Sequence, residues 1–114
     1  MNFQTALTAA QEALRVCNIT LHPEKSKYSI YVNFTTKALT LRQKQIDHPA
    51  VSNLPYIRAK DGNPRNDFWI IGFTNFYEAF TVLIILWEIL RCRYGEIFSL
   101  SVHNTAKPTP MFPF

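Results

Sequence analysis

The chain has 114 residues, of which 47% are hydrophobic, 14% aromatic and 18% charged, with a formal net charge of +4. One domain is expected at this length, and the abundance of Phe, Tyr, Leu and Ile excludes intrinsic disorder. Three Gly without a repeat exclude a collagen-like chain, and two cysteines, Cys17 and Cys92, are too few for a disulfide scaffold.

The first five residues lack the basic start and continuous apolar run of a signal peptide. A cytoplasmic protein with reduced thiols is expected, in which the glycosylation patterns at Asn18 and Asn33 are chance matches. Phe3, Leu7, Ala10 and Leu14, flanked by Ala6, Ala13 and Cys17, recur at helical spacing and predict an amphipathic helix ending near Val16. Asn18 is suited to a left-handed residue just past its end, and Pro23 prevents continuation.

Tyr28 to Phe34 switches to a period of two, with Ile30, Val32 and Phe34 on one face and Ser29, Tyr31 and Asn33 on the other. Ala38 to Lys44 alternates again, setting Leu39 and Leu41 against Thr40, Arg42 and Lys44. Two such runs so close together predict a hairpin. Gln45 to Leu54 reads as irregular. Pro55 to Lys60 supplies a third run, with Ile57 and Ala59 opposite Tyr56, Arg58 and Lys60. Residues 61–66 are dense in turn formers, and Phe68 to Phe73 is a nearly all-apolar strand of the kind found in a sheet centre.

Asn75 and Glu78 stand at capping-box spacing before a long helix from Phe76 to about Arg93. Its apolar run, Ala79 to Leu90, is far short of the roughly 20 residues that span a bilayer, so a buried helix and no membrane partner are expected. Glu78, Thr81, Glu88 and Arg91 mark a narrow solvated strip that contains Ile85. Glu96 to Val102 reads as a last strand. The expected fold is a single α+β domain over residues 1–103, in the order α-β-β-β-β-α-β. Its mainly antiparallel sheet, a meander in its first four strands, is packed on one face by both helices. Residues 104–114 form a tail with Pro108, Pro110 and Pro113.

Enzyme motifs are absent: no phosphate-binding glycine loop, nucleophile elbow or zinc-protease helix occurs. His22, His48 and His103 lie far apart and show no ligand spacing with either cysteine, so no catalytic residue, metal ligand or cofactor is assigned. Asp47 and His48 before Pro49 read as a turn device. Cys92, between Arg91 and Arg93, reads as a helix-end thiol beside two cations that complement the helix dipole.

Charge is unevenly placed. From Lys25 to Lys60 seven basic residues face one acidic residue, Asp47, for a net +6, whereas each flank carries −1. Strand alternation puts Tyr31, Thr40, Arg42, Lys44, Tyr56, Arg58 and Lys60 on the sheet face away from the helices, joined by either Trp69 and Ile71 or Phe68 and Ile70. Polar outward faces with edge lysines are ordinary in sheets, but a merely solvated face usually mixes signs. Basic groups interleaved with aromatics suit phosphates and unpaired bases. The expected function is therefore non-enzymatic binding of nucleic acid or of a nucleic-acid-handling complex. Arg42, Lys44, Arg58 and Lys60 would contact phosphate, while Tyr31 and Tyr56 stack. The alternative is a protein–protein inhibitor or adaptor of phage or mobile-element type that blocks a host nucleic-acid machine. Ile85, or the tail with Met111, Phe112 and Phe114, offers a second surface for a homodimer.

Overall fold

The computed structural model describes residues 3–34, 53–58, 67–94, 98–105 and 110–113. Helix α1, Phe3–Cys17, follows the apolar spacing: Phe3, Ala6, Leu7, Ala10, Ala13 and Leu14 are all buried. Four alanines on this face, Ala6, Ala9, Ala10 and Ala13, let its backbone approach its neighbours closely. The helix stops as expected at Asn18, which takes a φ of +55°. The Asn18 N–H donates to the Arg15 carbonyl and the Ile19 N–H to that of Leu14, each at 3.1 Å. This double bond pattern is a Schellman motif. It satisfies two carbonyls at the end of the helix and turns Ile19 back against the core.

Strands β1 (Tyr28–Asn33), β2 (Ile57–Arg58), β3 (Asp67–Phe73), β4 (Ser99–Asn104) and β5 (Pro110–Pro113) form one sheet in the order β2-β3-β1-β4-β5, with every adjacent pair antiparallel. Helix α2, Phe76–Ile89, packs against α1, β1, β3 and β4, and Phe3 of α1 meets Phe68 of β3 edge-on. The molecule is the expected α+β domain. Between the helices and the sheet lie Ile30, Val32, Phe68, Ile70, Leu83, Leu86, Leu100 and Val102, all essentially inaccessible.

The meander is corrected. Both edges of β1 are filled, by β3 on one side and β4 on the other. The expected hairpin partner, Ala38–Lys44, lies outside the described residues. Alternation identifies a strand and its inner face, but it carries no information about which strand lies beside it. Of the run from Pro55 to Lys60, Ile57 and Arg58 pair with Ile70 and Trp69.

Strand β3 breaks strict alternation for a local reason. Ser29 pairs with Ile71 and Tyr28 with Phe73, so Gly72 is the extra residue of a β-bulge. Its φ of +107° is open to glycine, and a Cβ there would lie 2.9 Å from the His22 backbone nitrogen. Ile71 faces outward by alternation with Phe68 and Ile70, and the bulge returns Phe73 to the core.

Asn75 caps α2, its Oδ1 accepting from the Tyr77 N–H at 2.7 Å. The helix is shorter than expected, because Leu90–Tyr94 forms a π-helical turn. Leu90 stays buried there, and Arg93 donates twice to the Glu12 carboxylate of α1, at 2.5 and 2.9 Å. Of the expected solvated strip, Thr81, Glu88 and Arg91 are exposed, but Tyr77 and Ile84 face outward with them in place of Glu78 and Ile85, and Ile85 packs half-buried on the core. So wide an apolar surface does not orient itself; its packing against α1 and the sheet does.

The last strand begins later than expected and includes His103 and Asn104. Pro110–Pro113 pairs with β4 in the register Val102 to Phe112. It lies at the sheet edge, the position where missing proline N–H groups cost no ladder bond.

Candidate binding face of the sheet

With Ile30 and Val32 committed to the core, alternation turns Ser29, Tyr31 and Asn33 of β1 to the opposite side. The registers then set their neighbours. Arg58, Trp69, Tyr31 and Ser101 form one row across the sheet; Ile71, Ser29 and His103 form the next. Three rings gather there. Tyr31 and Trp69 lie 4.8 Å apart at 44°, and His103 meets Trp69 at 4.8 Å and Tyr31 at 6.2 Å, both nearly edge-on.

Polar contacts hold these rings in place. The Tyr31 hydroxyl donates to Asp67 Oδ2 at 2.5 Å. Burial, and then this bond and the carboxylate's charge, push the phenol well above its usual range, so it remains a neutral donor. The Nε2 of His103 and the Ser101 hydroxyl are hydrogen-bonded at 2.7 Å. His103 is only 9% exposed and Ser29 4%, so this is not an ordinary solvated face.

Where Ser29 lies between Ile71 and His103, the small side chain leaves a cleft of about 280 Å³. Trp69, Arg58, Asn104 and Thr105 complete its lining. Arg58 is exposed. Lys27, also exposed, accepts the Thr105 N–H on its backbone carbonyl, which places a second cationic residue beside the lining.

Of the residues expected on this face, Tyr31 and Arg58 are brought to it in one row. Tyr56 is half-buried and packed on the core, with its carbonyl accepting the Ile71 N–H at 2.8 Å. Arg42, Lys44 and Lys60 lie outside the described residues. Ser29 was expected on this side with Tyr31, and Trp69 with Ile71 was one of two alternatives for it, but neither was among the expected binding residues. His103 was not expected there at all. Once Phe68 and Ile70 are assigned to the core, alternation exposes Trp69; His103 follows from Leu100 and Val102 by the same rule, provided the strand is not ended at Val102.

The remaining reactive groups point elsewhere. The Cys92 thiol donates to Glu88 Oε1 at 3.2 Å, and that carboxylate holds the thiol above its usual pKa. Among the described residues no three acidic, histidine or cysteine side chains cluster as metal ligands, and no helix is long and apolar enough to cross a membrane. Compared with models of known protein families, with curated proteins and with solved structures, the chain has no match.

Proposed function

We propose that this is a cytoplasmic, non-enzymatic protein that binds single-stranded nucleic acid on the outer face of its sheet. One observation carries the reading: Arg58, Trp69 and Tyr31 stand in a row across three neighbouring strands, on the side away from both helices. Such a row offers a guanidinium for phosphate beside rings for unpaired bases, and each stacked base contributes roughly 1–3 kcal/mol. Duplexes suit this face less, because their bases are already stacked and the row is flat rather than a helix that fills a groove.

The test is a fluorescence titration with single- and double-stranded DNA and RNA at low salt. Tighter binding of single strands, weakening as salt rises, is expected. Failure to bind any of them, or binding insensitive to salt, would sink the reading.

A second reading, an inhibitor or adaptor acting on a protein, draws on the helix side, where Tyr77 and Ile84 are 77% and 40% exposed on one face of α2. A partner captured at one-to-one stoichiometry through that face, and retained after nuclease treatment, would favour it. Loss of the partner in Tyr77→Ser identifies the face.

A further inference from the structure

The cleft beside the aromatic row carries a more specific inference, which rests on the reading of the face as a nucleic-acid surface. The geometry points to a pocket for one nucleobase of a single strand, with its ring against Trp69 and the adjoining phosphate on Arg58.

Size comes first. Pockets that enclose drug-sized ligands begin at about 300 Å³, and this cleft is about 280 Å³. That is room enough for a planar ring system the size of a nucleobase. The next base along the strand is left to Tyr31, which lies one row away with its hydroxyl anchored on Asp67.

Shape follows from the residues in the second row. Ile71 and His103 flank Ser29 across the two ladders of β1. A larger residue at position 29 would fill the cleft from its floor. Chemistry agrees with a base rather than a purely apolar guest, because Asn104, Thr105 and Ser29 bring hydrogen-bonding groups to a lining that is otherwise ring and aliphatic surface. Arg58, exposed in the lining, favours a guest with a negative charge attached.

The test compares a labelled oligothymidylate with an abasic oligonucleotide of equal length and phosphate number, by fluorescence polarisation at low salt. The wild-type protein is expected to prefer the base-bearing strand by at least roughly fivefold, the lower end for a single stacked base. Ser29→Leu should remove the share of that preference that the cleft supplies, a fall of at least roughly fivefold. If the wild type binds both strands equally, the base pocket is overturned and the phosphate-binding face survives. If Ser29→Leu keeps the full preference, the bases lie outside the cleft and the inference again falls. Binding of neither strand removes the proposed function itself.

A second readout does not depend on how Ser29→Leu folds. The chain has two tryptophans, and Trp87 lies against Phe98. In Trp87→Phe, oligothymidylate should quench the remaining Trp69 emission and the abasic strand should not. Equal quenching by the two strands, or none by either, would overturn the pocket.

Discussion

Gly72 and Trp69 are the two single residues on which most depends, for opposite reasons. Gly72 sustains a φ of +107° with its Cβ position facing the His22 backbone, while its N–H donates to the Ser26 hydroxyl at 2.8 Å. Gly72→Ala is therefore expected to lower stability by about 1–3 kcal/mol from backbone strain alone, measured by urea unfolding; an unchanged midpoint would contradict the bulge. Trp69 contributes little to the core and is placed for contact. Trp69→Ala should weaken single-strand binding by about 1–3 kcal/mol, and lower stability through the loss of its contacts with Tyr31 and His103, about 0.5–1.5 kcal/mol each. Arg58→Gln should instead reduce the dependence of log affinity on log salt by about 0.7, the slope for one phosphate contact on a single strand. These two substitutions separate ring from charge within one row.

At the scale of elements, the tie between α1 and the π-turn is electrostatic. Arg93 holds the Glu12 carboxyl below its usual range, mainly through their hydrogen bond. A carboxylate with a lowered folded-state pKa adds stability above its unfolded pKa, and that stability is lost as pH falls through the folded value. The loss should thus begin below the ordinary value of 4.5. Glu12→Gln should remove this part of the acid limb in a series of thermal melts from pH 7 to pH 3. An identical pH profile for the variant would show that the pair contributes nothing, the usual result for pairs at a surface. Helix α2 begins at a cap legible in the sequence, since Asn before a run of helix formers is a local signal. Its outward strip was legible at Thr81, Glu88 and Arg91 but not at Tyr77 and Ile84. Nearly every turn of α2 is apolar, so Ile84 and Ile85 differ only in what the fold sets opposite them.

For the whole molecule, the decisive feature is the position of β1 at the centre of the sheet, with β4 brought to its second edge after α2. That arrangement puts Tyr31 between Trp69 and Ser101 and assembles the candidate face from four separate stretches of chain. Strand β5 covers the other edge of β4. Removing residues 106–114 should open that edge to pairing with another chain, seen as concentration-dependent self-association in sedimentation. A monomer of unchanged stability would show that the edge needs no cover.

Local physics was sufficient for part of this. Periodicities of 3.6 and 2 separated α1 from β1 and chose Ile30 and Val32 for the core, while the steric freedom of Asn18 and the capping oxygen of Asn75 marked helix ends. All act within a few residues and need no partner. Strand neighbours, the bulge at Gly72, the side of α2 that meets solvent and the meeting of Arg58, Trp69, Tyr31 and His103 each require a distant segment. They are selected by which arrangement buries the most apolar surface with every ladder bond made, a property of the folded chain as a whole. The concentration of charge between Lys25 and Lys60 was visible in the sequence; the cleft that gives Arg58 a ring beside it was made by tertiary structure, through the small side chain of Ser29 between β3 and β4.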